Sequence, residues 1–413
     1  MKKVKKIGIL WEQKLWGGVD SYLAYLLSAS TFDNIEVVLF TNKKNQGLER
    51  FQNIFKAHTS EYPRSIKIIF FKSLNSVDSN FFLFKILIIL FRPILFIFSI
   101  FQTYFLIKNY KFDVFLGQCG GYGDFRSEVA AVFSSKLCNI PVRSLVIHHE
   151  CIPSIYWTFI LKLINNFLSQ CATSIITVSE ATKKSLIYKS NLFNRYSSMK
   201  CLTIYPGYPI KNNFENNVLD NFKLSYQSED IKIGMMSRIE PYKGQEDLIF
   251  AAADIPYNII KKIKFFLIGR GDEKEVVRLK KIIKNLNLEK FFVFTDFLNF
   301  SSASIIKNLD LLVSLTRNFE GFGSAVAEAM SVGTPVLCTN VGAMREYLNE
   351  KYVRLIKPNN IELIKDSLID FVNNSDEWNM KAVLAKEYII KEFNNEKISV
   401  EYLSHFERTL NEY

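Results

Sequence analysis

Short apolar runs that alternate with helical segments set the fold class of this 413-residue chain. The first run, Lys6–Trp11, is followed by Gly17 and Gly18 and then by a helical pattern over Val19–Leu27. Strand-sized apolar runs that alternate with helices are typical of parallel α/β layering. The alternation starts again at Lys232–Met236. The pattern therefore predicts two α/β halves, each able to bury its own core.

The predicted domain boundaries follow from this repeat. Residues 211–230 are rich in Asn, Asp and Ser and weak in periodicity, which indicates an interdomain linker. We expect one domain over 1–210, a second over 231–390, and a C-terminal helix over 391–413 that could return to the first domain. Two α/β halves joined by a linker are expected to bind a ligand in a cleft, at the carboxyl ends of their strands.

Composition narrows the class of protein. A hydrophobic share of 48% excludes intrinsic disorder, and the net charge of +11 leaves nucleic acid, an anionic membrane and phosphorylated substrates open as partners. Six widely spaced cysteines without a C-x-x-C pair indicate neither a metal site nor a disulfide framework, so we expect a reducing cytosol. The basic start carries only five apolar residues in a row and is interpreted as the first strand, not a signal peptide.

The most apolar segment is 81–107, which is interrupted by Lys85, Arg92 and Pro93. Pro93 is expected to break or kink a helix, because proline removes one hydrogen bond and clashes with the preceding turn. One interpretation is a pair of helices packed on the sheet. The other, which we favour, is a surface that dips Phe and Ile side chains into a bilayer, since the phenylalanines exceed what one covered face requires.

The stretch after Asn318 has the composition of a ligand site. Glu320-Gly321-Phe322-Gly323 precedes a small-residue helix, Ser324–Val332, which carries Glu328 and is expected to stop at Gly333. Glycines let backbone amides approach a ligand, and a helix start favours phosphate. Because ionised carboxylates only accept hydrogen bonds, Glu320 and Glu328 in one crevice indicate binding of sugar or ribose hydroxyls.

Three further groups follow predicted strands. Arg238 and Lys243 come after Lys232–Met236 and could jointly hold one anion, because a planar guanidinium and a compact ammonium suit a diphosphate. Gly17 and Gly18 follow the first strand, and His148 ends the predicted strand Val142–Ile147. Solvated cations, a tight turn and a structural histidine are the alternatives at these positions.

The glutamate stretch, set in this context, resembles the donor-site signature of the family 4 retaining glycosyltransferases (glycosyl transferases group 1). Their GT-B fold has two Rossmann-like αβα domains that face each other across a cleft. The resemblance implies that Arg238 and Lys243 neutralise the leaving nucleoside diphosphate. It also implies that Glu320 holds hydroxyls of the donor sugar and that Glu328 holds the ribose.

The resemblance extends to other loops. The amides of Gly321, Phe322 and Gly323 would assist at the diphosphate, and Gly17 and Gly18 would approach the donor phosphate from the N-terminal, acceptor-side domain. His148, chosen over His149 by strand alternation, would contact the sugar or the acceptor. Asp296 stands where the family more often has Gly, which leaves the base open. The implied catalytic set is Glu320, Arg238, Lys243 and His148.

The resemblance implies a metal-independent, retaining enzyme without a cofactor, whose co-substrate is a nucleoside-diphosphate sugar. With the apolar segment and the basic charge, it favours a lipid-linked glycan acceptor in bacterial surface polysaccharide (O-antigen or capsule) assembly, at the inner face of the cytoplasmic membrane. No nucleic-acid partner is expected. The alternatives are another GT-B enzyme, such as a sugar-nucleotide epimerase or a glucan synthase, and a non-catalytic membrane- or nucleic-acid-binding protein.

Overall fold

The computed structural model describes most of the chain. The described residues are 2–13, 17–59, 66–73, 82–123, 125–190, 192, 200–209, 229–295 and 300–413, without the side chains of 82–88. They divide into two compact units. Unit 1 comprises Met1–Phe51, Thr59–Gly207 and Asn395–Tyr413, and unit 2 comprises Gln52–His58 and Tyr208–Asn394. The predicted linker, 211–230, lies almost wholly outside the described residues.

Unit 1 is built on a seven-stranded parallel sheet in the order β3-β2-β1-β4-β5-β6-β7. Most of the strands are buried on both faces, as expected of a parallel sheet covered by helices. The strands are β1 (Lys6–Trp11), β2 (Glu36–Asn42), β3 (Lys67–Phe71), β4 (Val114–Cys119), β5 (Val142–Ile147), β6 (Ser174–Thr177) and β7 (Lys200–Thr203). The helices that alternate with these strands along the chain are α1 (Gly18–Ser28), α2 (Leu48–His58), α3 (Phe82–Ile107), α4 (Ser127–Leu137), α5 (Thr158–Cys171) and α6 (Glu180–Ser190). The second part of α2, Gln52–His58, is assigned to unit 2.

Unit 2 repeats the plan with six parallel strands in the order β10-β9-β8-β11-β12-β13. Its core lies between the sheet and the helices, around Phe265, Leu311 and Leu368. The strands are β8 (Ile231–Met236), β9 (Ile263–Ile268), β10 (Phe292–Thr295), β11 (Leu311–Ser314), β12 (Val336–Thr339) and β13 (Arg354–Ile356). The helices are α7 (Gln245–Ala253), α8 (Tyr257–Ile260), α9 (Glu273–Asn285), α10 (Ser302–Lys307), α11 (Ser324–Val332), α12 (Met344–Tyr347), α13 (Ile361–Asn373) and α14 (Ser375–Glu392).

The last helix, α15 (Asn395–Glu412), belongs to unit 1. The Tyr402 hydroxyl lies 2.5 Å from the Tyr22 hydroxyl on α1, and the Asn395 amide donates to the carbonyl of Tyr25. The predicted fold class, an α/β chain with two Rossmann-like sheets, is confirmed.

One prediction about the apolar segment is wrong. A break at Pro93 and a pair of helices over 81–107 are contradicted, because α3 is one continuous helix of 26 residues with Pro93 inside it. A kink at Pro93 stays a prediction. Proline at 93 has no N–H to donate to the carbonyl of Ile89, four residues earlier. The indole Nε1 of Trp157 donates to that carbonyl instead, at 3.2 Å. An external donor therefore satisfies the acceptor that the proline leaves open.

Candidate functional site

The candidate site of unit 2 forms where two loops meet at the edge of its sheet. β8 and β11 are adjacent in the sheet, with Ile233 opposite Leu311, although 77 residues separate Lys243 from Glu320. β9 and β10 follow β8 on one side of this pair, and β12 and β13 follow β11 on the other side. The strand order therefore reverses between β8 and β11. Loops at the carboxyl ends of such strands are the usual ligand sites of open α/β sheets.

An ion pair joins the two loops. The Nζ of Lys243 lies 2.7 Å from Oε2 of Glu320, and the Thr316 hydroxyl donates to the same oxygen at 2.9 Å. Both charged side chains are largely covered, with 12% and 16% of their area exposed. Burial opposes the charge on Lys243, but the Glu320 carboxylate and Tyr242 outweigh it, so the pKa of Lys243 is raised. The ammonium therefore stays charged at neutral pH.

Tyr242 lies between the two predicted cations. Arg238 donates to the Tyr242 hydroxyl at 2.9 Å and pairs with Glu240 at 2.8 Å. The Nζ of Lys243 lies 5.1 Å from the centre of the Tyr242 ring. The side chain of Arg238 remains 38% exposed, so its guanidinium is accessible to a ligand. The structure thus brings Arg238, Lys243 and Glu320 together around one point.

Backbone contacts fix the position of Glu320. The carbonyl of Glu320 accepts the N–H of Ala343 at 3.0 Å, and the adjacent Gly342 has φ +53°. A Cβ at Gly342 would lie 2.3 Å from the carbonyl oxygen of Glu320 and 2.6 Å from its nitrogen. Only glycine allows this approach, because both atoms belong to the backbone. The turn after β12 therefore fixes the position of the Glu320 loop.

We expect Gly342→Ala to lower both stability and donor binding. Left-handed backbone costs a non-glycine residue about 1–2 kcal/mol, and the clash displaces Glu320. Gly333→Ala is the matched control, since Gly333 has φ +80° but its Cβ would meet only Lys386 Cδ, at 3.6 Å. Urea unfolding should show a loss in both variants, whereas calorimetry with nucleotides should show weaker binding in Gly342→Ala alone. Equal donor binding in the two variants would contradict this role of Gly342.

The helix α11 follows the loop as predicted, from Ser324 to Val332, and ends at the left-handed Gly333. Gly323 precedes it with φ +87°. Phe322 is buried, and its ring stacks on Tyr347 at 4.6 Å and on Tyr208 at 6.2 Å. The Phe322 side chain therefore anchors the loop from inside.

Glu328 lies in the covered part of α11. Only 2% of its surface is exposed. Burial, and then the charge of Glu328, raises the pKa of Tyr208, whose hydroxyl also hydrogen-bonds Ser324. The structure places Glu328 beside Tyr208, one helical turn from Gly323.

A second ion pair ties the Glu320 loop to α7. The guanidinium of Arg317 binds Asp247 through two hydrogen bonds, at 2.9 Å and 2.6 Å. Its backbone N–H donates to the carbonyl of Tyr242 at 2.8 Å. The side-chain hydrogen bonds to Asp247 raise the pKa of Arg317. The pair fixes the register of the two loops that carry Lys243 and Glu320.

Gly269-Arg270-Gly271, a second glycine loop, has a structural explanation. Ile239 donates to the carbonyl of Arg270, and a Cβ at Gly271 would lie 2.1 Å from the Ile239 carbonyl oxygen. Close backbone packing beside Arg238 therefore requires glycine at 271. Asp296 lies outside the described residues.

Gly17, Gly18 and His148 belong to unit 1. Gly17 immediately precedes α1 in an extended conformation that any residue adopts, and the described atom nearest to a Cβ there is Gln13 Nε2, at 3.7 Å. Neither backbone strain nor packing among the described residues requires glycine at 17. The role of Gly17 toward a ligand stays a prediction.

His148 is held at the end of β5. Its Nε2 lies 2.8 Å from Oε1 of Gln118, and its ring makes an edge contact with Tyr22 at 4.7 Å. The direction of that hydrogen bond depends on the tautomer of His148. Burial lowers the pKa of His148 to about 3. The ring is therefore neutral at physiological pH.

The depressed pKa predicts acid sensitivity. Below about pH 6.5 the unfolded histidine takes up a proton that the folded one refuses until about pH 3, so the free energy of unfolding falls across this window. His148→Gln should flatten that part of the curve. His405→Gln, on α15, is a second test: burial also lowers the pKa of His405, to about 4, so this variant should flatten the same part of the curve. Unfolding measured from pH 7 to pH 4 checks this, and an unchanged slope in His148→Gln would contradict it.

Thr316, Tyr242 and Arg317 take part in the site although no sequence motif singled them out. Each lies within five residues of a residue that the sequence predicts to be in the site. This proximity in the chain was the only available signal of their role. No group of three or more potential metal-ligating side chains occurs among the described residues.

Comparisons with known proteins agree with this geometry. Residues 219–387 match the family model of glycosyl transferases group 1. This segment contains both loops of the unit 2 site, and together with the fold it supports a GT-B glycosyltransferase. The match covers less than half of the chain.

Relatives at low identity point the same way. An uncharacterized glycosyltransferase of Methanocaldococcus jannaschii is 27% identical over 60% of this chain and 62% of its own length. The capsular polysaccharide biosynthesis glycosyltransferase CapM of Staphylococcus aureus is 27% identical over 52% of this chain and 56% of its own length. The chain thus spans about three fifths of the length of these relatives.

The fold is shared with solved structures over nearly the whole chain. Anabaena HepE, in complex with UDP and glucose, has a TM-score of 0.72 at 18% identity and covers 98% of this chain and 100% of its own. This similarity supports the GT-B fold for both units.

Proposed function

We propose that the protein is a retaining, family 4 glycosyltransferase that moves a sugar from a nucleoside-diphosphate donor to a glycan acceptor. The observation that carries this proposal is the meeting of Arg238, Lys243 and Glu320 at the carboxyl ends of β8 and β11. Two cations and a carboxylate at one point suit a substrate that combines a diphosphate with sugar hydroxyls. HepE, which shares the fold, binds UDP and glucose.

In this proposal the cations act on the leaving group. Arg238 and Lys243 stabilise the negative charge that develops on the diphosphate as the bond to the sugar breaks, and the amides of Gly321 and Gly323 assist. Preorganised charges of this kind often make the largest contribution to catalysis. They would also take the place of a metal ion, so we propose that transfer needs neither a metal nor a cofactor.

Glu320 would bind hydroxyls of the donor sugar while the Lys243 and Thr316 contacts hold its carboxylate in position. Glu328 would bind the hydroxyls of the ribose. We propose substitution on the same face of the sugar, in which the leaving phosphate helps to deprotonate the acceptor. The neutral imidazole of His148 has one donor and one acceptor nitrogen, which suits contact with a hydroxyl of the sugar or acceptor.

We propose a lipid-linked glycan of bacterial surface polysaccharide assembly as the acceptor, met at the inner face of the cytoplasmic membrane. The names of two relatives support this class: CapM of S. aureus, in capsular polysaccharide biosynthesis, and WclY of Escherichia coli, in O-antigen biosynthesis.

Release of nucleoside diphosphate tests the proposal. Purified protein would be incubated with UDP- and GDP-sugars, with and without polyprenyl-linked glycans in detergent. We expect release that depends on acceptor, is unaffected by EDTA, and gives a product with the donor's anomeric configuration by NMR. Isomerised donor without diphosphate release would indicate an epimerase and would overturn the proposal.

A further inference from the structure

The helix α3 exposes its most apolar side. Every exposed side chain between Ile89 and Ile107 is Ile, Leu or Phe: Ile89, Leu90, Phe91, Ile94, Ile97, Phe98, Phe101 and Phe105. Its buried side carries Phe96 and Ile107 but also the polar Ser99 and Thr103, and the Thr103 hydroxyl lies 2.6 Å from that of Ser134 on α4. A surface helix in water has the opposite arrangement. Contiguous exposed apolar patches of this kind mark interaction surfaces.

The helix α5 adds a second apolar face. Phe159, Leu163 and Phe167 recur every four residues and are 74%, 46% and 55% exposed. Ile155 and Tyr156, just before the helix, are 88% and 81% exposed. The Trp157 hydrogen bond to the carbonyl of Ile89 joins the start of α5 to α3. The exposed residues of α3, of α5 and of the turn at 155–156 are called the apolar face below.

The charges in the two sequence segments that carry the apolar face have one sign. The sequence has no Asp or Glu from 79 to 112 or from 151 to 179, but it has Arg92, Lys108 and Lys162 there. Phenylalanine and isoleucine flanked by basic side chains, with tyrosine at the border, match the interface of an anionic bilayer. A second copy of the chain docked face to face by a twofold axis would bring cations opposite cations. The charge pattern therefore favours lipid.

The connectivity of the sheet fixes how α3 could meet the bilayer. The segment Ile89–Ile107 is apolar enough to cross a membrane, with a mean hydropathy of 1.7 over 18 of its 19 residues. However, α3 connects β3 to β4, and both strands lie in the same sheet. A spanning helix would place its two ends on opposite sides of the bilayer and would pull this sheet apart. A helix lying in the plane of the interface keeps it intact.

We propose that the apolar face is a membrane-docking surface that inserts into the headgroup region of an anionic bilayer, with α3 parallel to its plane. The inference deepens the proposed function, and it rests on that function for the lipid-linked acceptor that docking would present. Docking itself needs neither donor nor acceptor, so it can be measured alone.

Vesicle sedimentation tests the proposal. The test variant is Ile97→Ser/Phe101→Ser/Phe105→Ser, whose positions are 53–61% exposed, so the core stays intact. The matched control is Val277→Ser/Met380→Ser/Val400→Ser, which replaces three apolar side chains that are 50–63% exposed on α9, α14 and α15. We expect wild type and control to bind phosphatidylglycerol-containing vesicles and the test variant to bind them at least tenfold more weakly. The double variant Lys108→Gln/Lys162→Gln should lose the preference for anionic over zwitterionic vesicles.

Two results would overturn docking. One is equal vesicle binding by the test variant and wild type. The other is a wild type that ignores vesicles but sediments as a dimer, which the test variant converts to monomer, because a second copy would then cover the face. Nucleotide binding by the test variant should match that of wild type. If docking fails while nucleotide binding is intact, the transferase proposal stands. If the protein docks on vesicles but binds no nucleotide, the docking proposal stands and the transferase proposal fails.

Discussion

Lys243→Met is expected to lower kcat/KM for the sugar nucleotide by about 100- to 1,000-fold, the loss typical of removing one preorganised group that stabilises developing charge. Lys243 is the most enclosed cation of the site, 12% exposed and 2.7 Å from Glu320. A charge with little water around it acts more strongly on a nearby phosphate than an exposed one does. Steady-state kinetics of diphosphate release measures the effect.

The substitution also leaves Glu320 without its ammonium partner, so stability must be separated from catalysis. In Lys243→Met/Glu320→Gln the carboxylate is neutralised as well, which removes the unpaired charge. Lys351→Met, on an exposed residue of the same unit, controls for the loss of one positive charge. The double variant should regain stability but not activity. Activity of Lys243→Met within threefold of wild type would contradict a role at the diphosphate.

Arg317→Met is expected to cause the largest loss of stability, about 2–3 kcal/mol in the free energy of unfolding. Breaking a buried ion pair by removing one partner costs about 3–5 kcal/mol. The Arg317 side chain is 24% exposed and Asp247 is 7% exposed, so solvent screening places the expected value lower. Urea unfolding at neutral pH measures it.

The conservative substitution Arg317→Lys separates charge from geometry. Lysine keeps the charge but cannot make the two parallel hydrogen bonds to Asp247. We expect it to recover part of the stability, with a raised KM for the donor because the loops lose their register. Full recovery of both stability and KM in Arg317→Lys would contradict a positioning role for the paired hydrogen bonds.

Local sequence patterns predicted much of the fold. β1, β5 and α11 have the predicted bounds, because buried strands and a glycine-terminated helix leave short-range signals. The helix α4 was missed, since its small and polar residues, Ser127 to Leu137, lack a clear apolar period. The continuity of α3 also could not be predicted, because it depends on Trp157, 64 residues after Pro93.

The candidate site, like the fold, could be predicted only in part from the sequence. Motif and context indicated Arg238, Lys243 and Glu320 one by one. The Lys243–Glu320 ion pair depends on β8 lying beside β11, which is a property of the sheet order. Thr316 and the Arg317–Asp247 pair could not be predicted, since their partners are set by how the loops fold back. The roles of Gly17, Gly18 and Glu328 toward a ligand stay predictions.

The central claim, that unit 2 holds a nucleoside diphosphate through Arg238 and Lys243, is tested most directly by a thermal-shift panel. UDP, GDP, ADP and their sugars would be compared on wild type and Arg238→Ala. A ligand at a hundredfold excess over its Kd stabilises the folded state by about 2.7 kcal/mol. We predict a rise in Tm with one nucleotide base, which would identify the donor, and its loss in Arg238→Ala. The same rise in both proteins, or no rise with any nucleotide, would contradict the account.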